Sequence, residues 1–285
     1  MDIEIVLRSI FSAVFLASVI RISTPLILPA LGGLVSELAG ATNIALEGMM
    51  LSGALAGVLV SAYTKSVWLG VLAGMVAGLL IAMILAYFHL VLRTDAILAG
   101  VAINIMCTGG TIFLLYVLTG DKGNSSSLVS GAVPNVTIPL IKDIPFIGTV
   151  LSGHNILTYA AFLLAIVVSV FLYRTRFGTH LRAVGENPVA ASSVGINVLR
   201  TRFIAFGISG IMAGLGGINM SMAYLTLFQR DMTKALFGDS GANYADGLFA
   251  EPGPVMDNAH NFACAFVGRH MRPNGGGPNP VEEQA

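Results

Sequence analysis

The sequence predicts an all-α polytopic membrane protein, and three observations carry that expectation. Of the 285 residues, 55% are hydrophobic and 11% charged, where a soluble domain carries about 25% charged residues, so the chain lacks the polar groups to cover a water-facing surface of its size. Five apolar stretches, at about 43–63, 67–90, 96–118, 156–173 and 203–225, meet or approach the roughly 20 helical residues needed to cross a bilayer core of about 30 Å. Glycines recur four apart inside them, at Gly53/Gly57, Gly70/Gly74/Gly78 and Gly210/Gly214, the spacing that lets helix backbones pack closely against one another in lipid.

A sixth span is expected at about 3–20, where Glu4 and Arg8 lie near one end and long side chains reach the interface. Thr24 to Gly33 follows, apolar but short and interrupted by Pro25 and Pro29. Proline breaks helical hydrogen bonding, so a re-entrant or half-helix near 24–36 is expected in place of a crossing. The acidic start Met1-Asp2-Ile3-Glu4 does not read as a cleaved secretory signal. The first apolar stretch is therefore expected to stay as an anchor.

Charge orients the loops. Segment 174–202 holds Arg174, Arg176, Arg182, Arg200 and Arg202 against the single acid Glu186, whereas 119–155 balances Lys122 and Lys142 with Asp121 and Asp143. The positive-inside rule then puts 174–202 in the cytoplasm and 119–155 outside. Alternation places Arg93 and the region of Arg21 inside and Lys65 outside.

Beyond about residue 233 the character changes. Residues 234–285 hold five of the eleven prolines and no apolar run long enough to cross, a composition that buries too little apolar surface to offset its ordering entropy. The expected division is a transmembrane unit over 1–233 and a disordered polar tail over 234–285.

Several chemistries are excluded or unsupported. Fifteen basic and fifteen acidic residues cancel, which removes the electrostatic basis for nucleic-acid binding. The phosphate-cradling pattern G-x-x-x-x-G-K-[ST] is absent, so nucleotide energy would have to come from a partner. Cys107 and Cys264 are far apart, and His89, His154 and His180 have no ligand-like spacing. No metal or cofactor is expected.

Two segments carry functional signals. In Gly185-Glu186-Asn187-Pro188-Val189-Ala190-Ala191-Ser192-Ser193-Val194-Gly195, Asn187 is a favourable N-cap, Pro188 suits the first helical position and Gly195 the left-handed exit, which specifies a helix at about 188–194. So short a helix is unstable alone. It either docks through its small side chains on a cytoplasmic motor or rests on its own bundle. In the second segment, Glu47 lies about one turn into a span, where an ionisable group is costly and usually faces a cavity or partner, and Asn43 four residues earlier is expected on the same helix face. Asn43 and Glu47 either line a pathway or make structural hydrogen bonds; the same choice holds for Asn104, central in its span.

At these residues the chain resembles a known family. Leu31-Gly32-Gly33-Leu34-Val35-Ser36-Glu37 leading into Asn43-Ile44-Ala45-Leu46-Glu47-Gly48-Met49-Met50-Leu51, and Arg182-Ala183-Val184-Gly185-Glu186-Asn187-Pro188 through Gly195-Ile196-Asn197 to Ser209-Gly210-Ile211-Met212-Ala213-Gly214-Leu215-Gly216-Gly217, resemble the inner-membrane permeases of bacterial ABC importers for nucleosides and simple sugars. The resemblance covers roughly residues 5–233 and looks closest to the nucleoside branch. It implies a non-enzymatic translocating subunit of the bacterial cytoplasmic membrane, working with a second permease, a cytoplasmic ABC ATPase and an extracytoplasmic substrate-binding lipoprotein. Asn43, Glu47 and Asn104 become the candidate substrate pathway; Arg182, Gly185, Glu186, Asn187, Pro188, Ala190, Ala191 and Gly195 become the candidate ATPase-coupling loop. After Thr233 the sequence departs from the family pattern, as a disrupted reading frame or truncation near residue 234 would produce, so a truncated remnant that does not transport is the alternative. An ion-coupled secondary transporter is a further alternative, which predicts inverted internal repeats.

Overall fold

In the computed structural model, which describes residues 13–121, 124–125, 128, 130–135, 153–229 and 232–233, the apolar stretches are long helices. In chain order they are α1 (Ala13–Leu38), α2 (Leu46–Thr64), α3 (Val67–Ala86, running on as a π-helical turn over Tyr87–Val91), α4 (Ala96–Thr119), α5 (Ile156–Arg174), α6 (Arg176–Glu186), α7 (Pro188–Ser193) and α8 (Val198–Ile218, running on as a π-helical turn over Asn219–Tyr224). Six of the helices, all except α6 and α7, are long and apolar enough to cross a membrane. The chain is a multi-pass membrane protein.

The glycine spacing decides how they pack. A Cβ at Gly53 would lie 2.8 Å from the Gly214 Cα and 3.1 Å from the Gly74 carbonyl oxygen; one at Gly74 would lie 2.6 Å from the Gly53 oxygen; one at Gly214 would lie 2.6 Å from the Gly74 oxygen. α2, α3 and α8 therefore meet backbone to backbone, with Gly78 and Gly210 pressed together one turn further along. Any side chain there would hold the three helices apart. α2 and α8 form the centre, and α4 is the most peripheral span, presenting Leu98, Ile105, Phe113 and Val117 outward. In water such a face would be an aggregation site; in a membrane it meets acyl chains.

Two expectations about the N-terminal region need correction. No half-helix forms at 24–36: α1 is continuous from Ala13 to Leu38, with both Pro25 and Pro29 inside it. Proline is tolerated in a membrane helix when neighbouring helices accommodate the disturbed backbone, and Gly216 of α8 lies directly against Pro29, where a Cβ would come within 2.9 Å of the ring. The first span is accordingly shifted from 3–20 to this helix, and residues 3–12 lie outside the described set. Arg21 consequently does not sit at a helix end. It is an exposed residue of α1, seventeen residues before Leu38, or about 25 Å at the helical rise.

The interruption lies later, between α1 and α2. Ala41 and Asn43 are buried in a non-helical stretch, and irregular backbone is tolerated at membrane depth only when protein or a wet cavity surrounds it. The tail at 234–285 lies outside the described residues.

Candidate functional site

Six of the eight arginines and lysines among the described residues gather at one end of the bundle. Arg174 and Arg176 end α5 and begin α6, Arg200 and Arg202 open α8, and Arg93 follows the π turn that ends α3, a turn whose His89 ring packs edge-on to Phe206 of α8 at 6.2 Å. Lys65, left-handed with φ 52°, lies between α2 and α3 at the other end.

At the basic end, α6 lies on the bundle through Leu181 and Val184, both buried, with its first turn capped by the Thr175 hydroxyl, which accepts from the Gly178 amide at 3.1 Å. Arg182 stacks over the Tyr173 ring, 5.1 Å from its centroid. α7 follows as its residue types dictate: the Asn187 carboxamide oxygen accepts from the Val189 and Ala190 amides at 3.1 and 3.0 Å, Pro188 takes the first helical position, and Gly195 exits with φ 86°. The exposed face differs from the expected one. Ala191 is 4% exposed and turned into the protein, whereas Val189 and Val194 are each 75% exposed. Ser192 and Ser193 donate back to the Val189 and Ala190 carbonyls at 2.8 Å. Their hydroxyls are satisfied within the helix, so a partner covering α7 meets two valines and small side chains without stripping water from unpaired groups.

α6 touches the end of α1 through glycine. Gly185 lies against the Leu38 carbonyl and Gly40, and Gly40 adopts φ 67°, a left-handed conformation that L side chains rarely take. Arg202 Nε donates to the Ala39 carbonyl at 3.1 Å. The end of α6, the start of α8 and the chain leaving α1 thus meet at one point.

From there the chain climbs inside the bundle. Asn43 Nδ2 donates to Ser209 Oγ at 2.8 Å, and Ser209 lies eleven residues into α8, about 16 Å from its start. α2 therefore begins in the interior, with the amides of its first turn lacking helical acceptors and carrying the positive end of its dipole. Three devices meet this need. The Asn43 side-chain oxygen accepts from the Ala45 amide at 3.1 Å. Asn104 of α4 spans the junction, its oxygen accepting from the Gly48 amide at 2.8 Å and its Nδ2 donating to the Ile44 carbonyl at 3.0 Å. Glu47 is buried within the first turn, where negative charge is favourable.

Asn43, Glu47 and Asn104, separated by up to 61 positions in the sequence, are thus gathered around one buried helix start. Asn43 precedes α2 and does not share a helix face with Glu47, because the helix begins only at Leu46. Sequence reasoning missed Ser209, the Gly40–Gly185 contact and the exposed valines. A serine inside an apolar span was the available signal for the first; the others depend on a long-range meeting that local pattern does not encode.

Six apolar helices, a helix start buried among polar side chains and a capped short helix held out at the basic end describe a polytopic membrane protein with an interrupted interior, the architecture that transport subunits use to place polar groups at depth. The chain belongs to the family of branched-chain amino acid transport system permease components, whose profile matches residues 15–236. It is 37% identical over 202 residues to the guanosine ABC transporter permease protein NupQ of Bacillus subtilis, covering 68% of this chain and 63% of that one. It is 35% identical over 249 residues to the nucleoside ABC transporter permease protein NupC of Lactococcus lactis, covering 85% and 77%. A Haloferax volcanii protein named provisionally as a glucose ABC transporter permease is 34% identical over 227 residues, covering 78% and 67%. No solved structure matches significantly.

Proposed function

We propose that this chain is the transmembrane permease subunit of an ATP-binding-cassette importer in the cytoplasmic membrane, carrying nucleosides or, in the alternative, simple sugars. The observation that carries the reading is the similarity to nucleoside permeases across most of the membrane unit. In this reading segment 174–202 is cytoplasmic, as its basic residues favour, and α7 is the surface on which the cytoplasmic ABC ATPase docks. A second permease completes the membrane route, and an extracytoplasmic substrate-binding lipoprotein delivers the solute. The Gly185–Gly40 contact gives motion of α7 a route to the buried start of α2, where Glu47, Asn43 and Asn104 border the substrate pathway. The permease unit ends near residue 233, a boundary supported by the family match reaching residue 236.

The test is uptake by membrane vesicles in which the full chain is co-expressed with the proposed ATPase, second permease and binding lipoprotein. Labelled guanosine should accumulate only with ATP; ATP-dependent accumulation of labelled glucose in its place would assign the sugar alternative. Accumulation that follows an ion gradient without ATP would overturn the importer reading.

A further inference from the structure

At the end of α8 away from the arginines, the helix widens into the π turn Asn219–Tyr224. Asn219 there is fully buried, and neither its carboxamide oxygen nor its nitrogen has a hydrogen-bond partner. A carboxamide brings one acceptor and two donors, and interior polar groups are left unpaired only rarely and at substantial cost. Ser221 in the same turn is barely better placed, its hydroxyl 3.4 Å from each of the Ala54 and Ile218 carbonyls. π turns inside α-helices occur frequently at functional sites.

One of the helices packed beside this stretch, α1, is disturbed as well. One turn before Asn219, Gly216 faces α1 at its prolines, where a Cβ would sit 3.3 Å from the Pro25 carbonyl oxygen. Pro29 has no amide hydrogen to donate to that carbonyl, and Pro25 likewise withholds one from the Arg21 carbonyl. The seam between α1 and α8 thus brings together a π-widened helix with an orphaned carboxamide and a helix deprived of two internal donors. Irregular backbone at membrane depth is tolerated where it is buried in protein or lines a water-filled cavity.

We propose that Asn219 is a solute-contacting residue on the translocation route, closed off in this conformation, and that its carboxamide pairs with a neutral group offering a donor and an acceptor side by side. The amide edge of a nucleobase and the adjacent hydroxyls of a sugar both have this chemistry. This deepens the importer reading and rests on it for the identity of the solute, but the exposure of Asn219 to water during turnover is tested independently.

In full-length chain carrying Cys107→Ala and Cys264→Ser, co-expressed with its partner subunits, Asn219→Cys is treated with a small water-soluble methanethiosulfonate. Labelling that rises when ATP is supplied is expected, with guanosine protecting the thiol if the base edge binds there and glucose protecting it if hydroxyls do. No labelling with or without ATP, or labelling that neither solute slows, would overturn the assignment. As a second variant, Asn219→Leu should lower uptake about tenfold, the factor that a lost hydrogen-bonded pair produces, while melting at or above the wild-type temperature, because an apolar group of similar size removes the orphaned atoms. Wild-type uptake by Asn219→Leu would overturn it. A wild-type chain that accumulates neither solute would sink the importer reading, leaving the ATP-dependence of labelling to decide the exposure of Asn219.

Discussion

Asn104 illustrates how a polar residue in a span earns its place. Its two ends bond the Gly48 amide and the Ile44 carbonyl, so Asn104→Ala removes both partners from the start of α2 and should cost about 1–3 kcal/mol, read as a lowered melting temperature in detergent. Glu47→Gln keeps the shape of the side chain but removes its ionisable carboxyl group from the first turn of α2. Normal accumulation in the membrane with reduced guanosine uptake is expected; loss of accumulation would assign Glu47 to folding alone. Gly53→Val inserts a side chain where even a Cβ meets the Gly214 backbone at 2.8 Å. Overpacking typically costs about 1–3 kcal/mol, and here backbone must yield, so the variant should fail to accumulate as a monodisperse species on size exclusion. The glycine contacts were legible as spacing, and the residues around α2 were legible as polar exceptions in apolar runs. Their partners were not, because a hydrogen bond between positions 43 and 209 leaves no local pattern.

α7 was legible almost to the residue because its signals are local: a capping side chain, a proline and a glycine act within one turn. α1 was not, because the rule that proline ends a helix describes chains whose freed carbonyls face water, whereas here Gly216 admits the Pro29 ring at close range. The structure also redirects mutagenesis of α7. Ala191 is buried, so Ala191→Arg should destabilise the α6–α7 region itself. Val189→Glu with Val194→Glu changes only exposed side chains and should abolish co-purification of the ATPase while leaving the melting temperature within about 2–4 °C, as each surface substitution rarely exceeds ±0.5 kcal/mol. Retained co-purification would place the ATPase elsewhere.

Taken whole, the molecule segregates charge: five arginines of segment 174–202 lie at one end and Lys65 at the other. Ser192→Cys and Lys65→Cys, both exposed and at opposite ends, should respond oppositely to an impermeant thiol reagent in intact cells lacking the native cysteines. Labelling at position 65 and none at 192 is expected; the reverse would invert the topology. The three-helix glycine contact also imposes an order on synthesis. Gly53 and Gly74 leave the ribosome close together, but Gly214, the third wall of their junction, lies 140 positions after Gly74 (214 − 74). At about 5–20 residues per second the nascent α2–α3 hairpin waits roughly 7–28 s for the helix that fills its groove. During that interval its bare glycine seam must be shielded by lipid or by the insertion machinery, which makes the arrival of α8 the committing event in biogenesis.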